Sequence, residues 1–499
     1  MIVVVVLVFV AVLALLVGAH WYVWRRLVRD TTQARGAARG VGTVLIWVLP
    51  LFSFGALTAG RAGAPFWLER VVAWPGYLWL AVLLYLVLAL LVGEGVRAVW
   101  LRRSRVSDGS RPSDPPHSSE PAASSRPVEP TPAKSTVRGA VTVPSGPTAT
   151  AAEATTGASA NTGTTTTAAV GASHQQDNAE TATSTDSAPL ESPSSIRATA
   201  DRESSLDQSA VQEVKAHPGA EHPQTVSRRL FVSRVVGGGA AAAALGTVGY
   251  GTYGVLRGPK IKRVTVPLAK LPRAAHGFRI AVVSDIHLGP ILGRGHTQRI
   301  VDTINTAQPD LIAIVGDMVD GSVADLGPAA EPLTQLKARH GTFFVTGNHE
   351  YFSGAEEWVD HVRELGLRPL ENERVEIDGF DLAGVDDIEG EKVGKGPDFR
   401  KALGDRDSSR ASVLLAHQPV VIHDAVEHGV DLQLSGHTHG GQLWPGSYLA
   451  ELANPTVAGL ERYGDTQLYV TRGAGAWGPP VRVGASSDIT VVQLASRQA

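Results

Sequence analysis

Four long runs of apolar residues lie in the first 256 positions of the chain. They cover residues 2–24, 41–60, 77–100 and 235–256. Each is long enough to cross a bilayer as a helix, which needs about 20 apolar residues. The fourth run is less hydrophobic than the others and rich in glycine and alanine. We therefore predict a membrane domain with three transmembrane helices at 1–103, and a signal-anchor or fourth transmembrane segment at 227–261.

Beyond residue 262 the pattern changes to short β-branched or apolar runs separated by amphipathic stretches. The runs at 278–283, 311–315, 342–345, 412–415 and 432–434 predict buried strands. The stretches at 297–307, 328–339, 355–365 and 420–427 predict helices between them. Residues 262–499 are therefore expected to form a soluble α/β domain. Its polar residues follow the carboxyl ends of the strands, where open α/β sheets place their sites.

The segment between these two halves has a different composition. Residues 104–226 are rich in serine, threonine, alanine, proline and glycine, with scarcely an aromatic residue. Such a segment cannot bury enough apolar surface to offset the entropy of ordering the chain. We predict a disordered linker without chemistry of its own.

Basic residues beside the apolar runs predict their orientation. Arginines follow the first run at 25–29 and the third run at 102–105. By the positive-inside rule these ends face the cytoplasm, and the N-terminus faces outward. A fourth crossing at 235–256 would then place the α/β domain outside the cytoplasm. The basic residues at 257–263 weigh against that orientation.

The fourth run is preceded by Ser227, Arg228, Arg229, Leu230 and Phe231. This stretch resembles the twin-arginine export signal, whose pattern is Ser-Arg-Arg-x-Phe followed by an apolar residue. The export machinery would then be a partner of the chain. A basic flank on an ordinary membrane helix explains the arginines equally well. No small-residue cleavage site is evident after the run, so the segment is expected to remain as an anchor.

Composition and charge exclude several classes of function. The formal net charge is −3, with no sign of the clustered basic face that a nucleic-acid partner requires. The chain contains no cysteine, which excludes disulfides, thiolate catalysis and thiolate metal ligands. Any metal ion must be held by histidine and oxygen ligands.

A histidine pair enclosed by glycines is the most informative motif, running from Gly436 to Gly441. Its members His437 and His439 are two positions apart, so their side chains point the same way on an extended backbone. Imidazole is the commonest nitrogen ligand for transition metals. Glycine on either side allows sharp turns and close approach of other groups. The pair predicts half of a metal site, although a polar turn with two exposed histidines has the same sequence.

Further polar residues, of types that bind metals or act in catalysis, follow the predicted strands in order. They are Asp285 and His287, Asp317 and Asp320, Asn348 and His349, and then His417. Each is weak evidence by itself, because a lone histidine is most often a satisfied core residue. Their repetition after successive strands predicts a single metal-binding constellation.

Together these motifs resemble the calcineurin-like metallophosphoesterases, most closely their bacterial, membrane-anchored branch. The resemblance covers about residues 264–494 and rests on Asp-x-His, Gly-Asp-x-x-Asp, Gly-Asn-His-Glu, a single His and Gly-His-x-His. It implies a four-layer sandwich of two mixed β-sheets flanked by helices. It also implies two metal ions, for which nitrogen and oxygen ligands favour Mn, Fe or Zn.

The resemblance also implies a role for each residue. Asp317 would bridge the two metals; Asp285, His287 and His439 would complete one metal's ligands, and Asn348, His417 and His437 the other's. A hydroxide bridging the metals would attack phosphorus. His349 would act at the leaving-group oxygen, and Asp320 would orient its imidazole.

One position departs from the family pattern. Phosphoprotein phosphatases have a phosphate-binding arginine after the second Asp of Gly-Asp-x-x-Asp, where this chain has Gly321. Protein phosphatase activity is therefore not expected. Arg294 is a candidate for substrate binding, although a solvated loop arginine is an equal alternative. Histidines outside the motifs, including His296, are expected at the surface.

The expected function is a membrane-anchored phosphoesterase on the outer face of the cell membrane. Its substrate would be a phosphodiester or a phosphomonoester, for which a lipid headgroup or an envelope component is attractive. The alternative is a metal-binding scaffold or sensor without turnover, which would need neither His349 nor Asp320. A transport or partner-binding role for the N-terminal helices is less favoured, because they lack paired charges within the membrane.

Overall fold

The computed structural model describes residues 2–108 and 228–498. The predicted linker at 104–226 lies outside the described residues, except for 104–108, which continue a helix. Ser227 of the twin-arginine motif also lies outside them.

Four helices form the membrane part of the described chain: α1 (Ile2–Val23), α2 (Ala37–Thr58), α3 (Phe66–Asp108) and α4 (Arg228–Leu256). All four contain a stretch long and apolar enough to cross a membrane. The sequence-based prediction of four apolar helices is therefore confirmed. A single turn of π-helix, Trp24–Arg29, extends α1 at its arginine-rich end.

The third helix begins earlier than predicted, at Phe66 instead of residue 77. Its additional turns pack on α2, where Val72 fits against Gly55 and the Ser53 hydroxyl donates to the Gly76 carbonyl at 2.8 Å. Pro75 falls inside the helix and does not end it. Packing against α2 thus outweighs the tendency of Pro75 to end a helix.

The helices share a buried interface and leave their outer faces apolar. Ala240, Ala244 and Val248 of α4 lie in one hydrophobic cluster with Leu83 and Leu86 of α3. In contrast, large apolar side chains such as Leu15, Phe54 and Leu245 are exposed. A helix that is apolar all round suits a lipid environment.

The rest of the described chain contains two six-stranded sheets. The first has the order β1-β12-β2-β3-β4-β5, with β1 (Lys260–Leu268), β2 (Arg279–Val283), β3 (Leu311–Val315), β4 (Thr342–Val345), β5 (Arg368–Pro369) and β12 (Asp488–Ser496). The second has the order β10-β11-β9-β8-β7-β6, with β6 (Glu373–Ile377), β7 (Phe380–Gly384), β8 (Ala411–Leu415), β9 (Leu432–Ser435), β10 (Gly459–Tyr463) and β11 (Thr466–Val470). Both sheets are mixed: β2–β3–β4 and β7–β8–β9 are parallel, whereas β12–β2, β6–β7 and β10–β11 are antiparallel.

The domain also contains seven described helices, most of which cover the outer faces of the two sheets, whereas the last has no buried residue. They are α5 (Arg294–Ala307), α6 (Val323–Ala330), α7 (Asn348–Ser353), α8 (Ala355–Glu364), α9 (Phe399–Leu403), α10 (Ile422–Glu427) and α11 (Gly446–Ala453). Alternate strand residues such as Val282 and Val413 meet in a core between the sheets. Their neighbours face outward, where Val283 packs with α5 and α8 and Leu414 packs with α9 and α10. The predicted four-layer sandwich is confirmed.

Two local predictions are wrong. The helix expected at 328–339 is instead α6, which ends at Ala330, followed by a 3₁₀ turn over Glu331–Gln335. Pro332 has no N–H to continue the α-helical ladder, which explains the break. His296, expected at the surface, is 2% exposed, and burial lowers its pKa to about 3.

The membrane helices and the α/β domain pack directly on each other. Phe66 at the start of α3 packs on the cluster beneath the first sheet, and Val255 near the end of α4 packs with Leu292. Val481 is fully buried among the membrane helices. These contacts bring the α2–α3 turn, residues 59–65, beside the carboxyl ends of the strands.

Candidate metal centre

The carboxyl ends of five strands converge at one edge of the sandwich. The loops after β2, β3 and β4 come from the first sheet, and those after β8 and β9 come from the second. Backbone hydrogen bonds fasten these loops together: Asp285 N–H donates to the Gly316 carbonyl at 3.1 Å, and Gly436 N–H donates to the His417 carbonyl at 2.9 Å. Hydrogen bonds between the loops that follow neighbouring strands therefore fix the positions of the predicted site residues.

Five of the predicted metal ligands have a left-handed backbone. Asp285, His287, Asp317, His437 and His439 have φ between 48° and 72°. Such a conformation costs about 1–3 kcal/mol for a residue with a side chain, and it persists only where the surroundings enforce it. The strain aims these side chains into one small volume, and no feature of the sequence indicates it.

Two glycines make room for the ligands. Gly316 adopts φ 79°, and a side chain there would collide with the His417 ring. A Cβ atom on Gly436 would collide with the side chains of Ser284 and Asp285. Glycine is therefore required at these positions by the close packing of the site as well as by backbone conformation.

Asp285, His287 and His439 form the first donor group. The Nε2 atoms of His287 and His439 are 3.0 Å apart, and His439 Nε2 lies 3.4 Å from Asp285 Oδ1. All three side chains are buried. The Arg482 guanidinium, also buried, donates to the His439 carbonyl at 3.1 Å and lies 3.2 Å from the ring's Nδ1.

The second donor group contains Asp317, His417, His437 and Asn348. His417 Nε2 lies 3.1 Å from Asp317 Oδ2, and His437 Nδ1 lies 3.1 Å from Asn348 Oδ1. The same Asp317 oxygen is 3.8 Å from His287 Nε2 in the first group. One carboxylate oxygen therefore lies between the two groups, as a bridging ligand must.

The donor set fits metal cations. His417 Nε2 is buried and, although close to Asp317, has no aligned hydrogen-bond partner among the described residues. Burial lowers the pKa of His439 and lowers that of His437 to about 4, so both rings are neutral ligands. Burial opposes charge on His287 and His417 as well, but the surrounding carboxylates raise both pKa values, that of His287 to about 9. The cluster thus stabilises positive charge at its centre.

His349 lies beside the first donor group and is held by Asp320. Its Nδ1 is 2.6 Å from Asp320 Oδ1, which also lies 3.0 Å from His287 Nδ1. Burial alone would raise the pKa of Asp320, but the two imidazoles lower it to about 2. The rings of Phe352 and Trp477 enclose His349 at centroid distances of 5.4 and 5.6 Å. Asp320 thus orients two histidines, one more than the sequence predicts.

Glu350 is a positioning residue that the sequence analysis did not identify. Its buried carboxylate accepts backbone N–H groups from Gly347 at 2.6 Å, Met318 at 2.7 Å and Asp317 at 3.0 Å. It therefore fastens the loops after β3 and β4 to each other. Burial and the nearby Asp317 charge raise its pKa to about 7. The position of Glu350 at the end of the Gly-Asn-His-Glu motif was the sequence feature that could have identified it.

A cavity of about 530 Å³ opens in front of His287, Asp320 and His349. Its opposite wall comes from the membrane helices and includes Arg61 and Tyr77. Arg61 is the sole lysine or arginine among the described residues that line this cavity.

Arg294, the predicted substrate contact, does not line the cavity. Its guanidinium pairs with Glu331 and donates to the Pro328 carbonyl at 3.2 Å. The structure therefore brings together the predicted ligands with His349 and Asp320, and it places Arg294 apart from them.

The known proteins that this chain resembles support the assignment of a metal site. The model of the calcineurin-like phosphoesterase family matches residues 278–441. A transmembrane protein with metallophosphoesterase domain from Danio rerio is 41% identical over 259 residues, which are 49% of this chain and 59% of that protein. A metallophosphoesterase from Helicobacter pylori is 40% identical over 271 residues, covering 54% of this chain and 72% of the relative. A metallophosphoesterase from Bacillus subtilis is 31% identical over 285 residues, covering 54% of this chain and 98% of the relative. The resemblance drawn from the motifs is confirmed.

Proposed function

Because this chain belongs to the metallophosphoesterase family, we propose that it is a membrane-anchored phosphoesterase with a dinuclear metal centre. Asp317 carries the proposal, since its Oδ2 lies within 3.1 Å of His417 Nε2 and 3.8 Å of His287 Nε2. A carboxylate in that position can hold two cations together. Asp285, His287 and His439 would bind one ion, and Asn348, His417 and His437 the other.

The chain's own residues supply positioning and proton transfer. Two bound metal ions would neutralise phosphate charge and lower the pKa of a water molecule. Because Nδ1 of His349 faces Asp320, its Nε2 is left free for the leaving-group oxygen. Phe352 and Trp477 pack their rings against this imidazole. A scaffold without turnover could use Asp320 to orient the ligand His287, but it has no use for His349, so we favour catalysis.

The cavity supports a substrate that reaches the site at the membrane surface. One of its walls is the α2–α3 turn, where Arg61 is placed to contact an anionic group of the substrate. A phosphate ester on a lipid headgroup or an envelope component suits this position. Phosphodiesters and phosphomonoesters both remain candidates.

We further propose that the α/β domain lies outside the cytoplasm. Arg26 pairs with Glu94 at 2.7 Å, and Arg234 donates to the Thr31 carbonyl at 3.0 Å, so both belong to one end of the helical bundle. Val255, at the other end of α4, packs on the α/β domain. If the arginine-rich end is cytoplasmic, the α/β domain is not.

The experiment is a hydrolysis assay on the full chain in lipid vesicles. Metal-free protein would be supplied with Mn, Fe or Zn and assayed with a chromogenic phosphodiester and a chromogenic phosphomonoester. We expect metal-dependent release from at least one of them. Binding of metal without any turnover would favour the scaffold alternative.

A further inference from the structure

An exposed apolar surface follows directly after the histidine pair of the metal centre. It consists of Trp444, which is 50% exposed, and of Tyr448, Leu449 and Leu452, which are 62%, 71% and 84% exposed. We call these four residues the apolar lip. The last three belong to α11, a helix without a single buried residue. Large apolar side chains grouped in this way mark an interaction surface.

The lip has the sequence pattern of one helix face. Tyr448 and Leu452 are four positions apart, and Leu449 and Leu452 are three positions apart, so the three side chains are neighbours on α11. Nothing else in the described part of the chain covers them, since all three are mostly exposed. Within residues 2–108 and 228–498, the apolar side of α11 therefore has no protein partner.

The lip is continuous with the membrane helices. The Tyr85 hydroxyl in α3 donates to the Trp444 carbonyl at 3.0 Å. Leu443, the preceding residue, packs in the same hydrophobic cluster as α3 and α4. Tyr85 lies well inside the apolar stretch Phe66–Trp100. The lip is therefore attached to α3 at a level that lies within the bilayer if Phe66–Trp100 crosses it.

We propose that the apolar lip inserts into the bilayer crossed by α1–α4. Lipid is the occupant that the contacts favour, because Tyr85 and Leu443 fix the lip beside a candidate span whose own outer residues, such as Leu91 and Val92, are exposed and apolar. Gln442, two positions before Trp444, connects the lip to the cavity. Its side-chain amide donates to the Trp477 carbonyl at 2.9 Å, and Trp477 lines the cavity. Insertion would hold the cavity against the membrane. This inference does not depend on phosphoesterase activity.

The chain has no cysteine, so a single introduced thiol can report the position of the lip. The test variant is Leu452→Cys, labelled with an environment-sensitive NBD fluorophore in the full chain, in vesicles of phosphatidylcholine and phosphatidylglycerol. Leu15→Cys on the outer face of α1 is the membrane control. Asp465→Cys is the aqueous control, since it precedes β11 and lies at the sheet edge opposite the metal centre.

For the Leu452 probe we expect blue-shifted emission and quenching by nitroxide-labelled lipid comparable to the Leu15 probe. The Asp465 probe should show neither. Water-like emission without lipid quenching at Leu452 would overturn the proposal. Blue-shifted emission without lipid quenching would also overturn it, because it would indicate a second copy of the chain or another protein as the occupant. Vesicles in which the Leu15 probe is unquenched would refute insertion of the helices and of the lip together.

Discussion

The metal centre and the α2–α3 turn face each other across one cavity but are built differently. Around the metal centre, Asp285, Asp317 and His417 are buried and joined by hydrogen bonds or short ionic contacts. On the opposite wall Arg61, in the α2–α3 turn, is exposed, and its guanidinium donates to the Leu57 carbonyl near the end of α2 at 2.9 Å. The donors are thus held by contacts between distant loops, whereas Arg61 is held by a single local hydrogen bond, so we expect the two walls to respond differently to substitution.

Replacing Asp317 with Asn tests the rigid side of the comparison and should have the largest effect. The change removes the bridging charge, so both bound metal and turnover should fall. We expect the loss of metal affinity to exceed the ~10–100-fold typical of partners that only orient a ligand. Elemental analysis of the purified variant measures it. Two bound metals and normal turnover in Asp317→Asn would refute the bridging assignment.

His349→Ala should retain the metals and lose rate. A proton donor at the leaving group contributes about 10²–10⁴-fold. The loss should be largest for poor leaving groups and smaller for nitrophenyl esters, which need little protonation. Comparing kcat for an alkyl and a nitrophenyl phosphate measures this difference. Loss of metal, with equal effects on both substrates, would place His349 among the ligands instead.

Arg61→Ala tests the open wall, and its effect should be smaller. Hydrogen bonds to charged groups contribute about 1.5–3 kcal/mol, so we expect KM to rise by at least ~10-fold with little change in kcat. Arg70→Ala is the matched control, because Arg70 is exposed near the start of α3, close in sequence to the α2–α3 turn, and does not line the cavity. Equal KM values for the two variants would remove Arg61 from substrate binding.

Replacing both Arg228 and Arg229 with Lys tests the route by which the chain reaches the membrane. The double substitution should leave turnover unchanged. The wild-type α/β domain should be digested by protease added to intact spheroplasts. A twin-arginine signal should not tolerate the change, so the variant's domain would be protected. Digestion of both proteins would leave Arg228 and Arg229 as an ordinary flank. Protection of the wild-type domain would place it in the cytoplasm.

The sequence predicts the donors of the metal centre better than it predicts the surroundings. Asp285, Asp317 and His437 stand in short motifs after strands, and that order implied their convergence. Their left-handed backbone could not be predicted, because it is enforced by contacts between distant loops. Arg61 carries no motif, and its place in the cavity depends on packing of α2 and α3 that composition alone does not specify.

The dependence on contacts between distant residues also explains which helices and strands were predicted correctly and which were not. Buried runs such as β3 and β4 were predicted at their observed bounds, since all their residues face protein. Strand β1 was missed because its first half carries Lys260, Lys262 and Arg263, none of them buried, and its pairing partner β12 lies more than 200 residues away. Arg294 was a reasonable cation to consider, but its pairing with Glu331 is a tertiary contact.

Titration of the metal-free full chain with one metal at a time, while phosphate release is followed, tests the central claim most directly. We expect no release without metal and a rate that reaches its maximum at two equivalents, with Asp317→Asn failing to reach it. A maximal rate in the presence of chelator, or at one equivalent with no further change, would contradict a dinuclear centre held by Asp317.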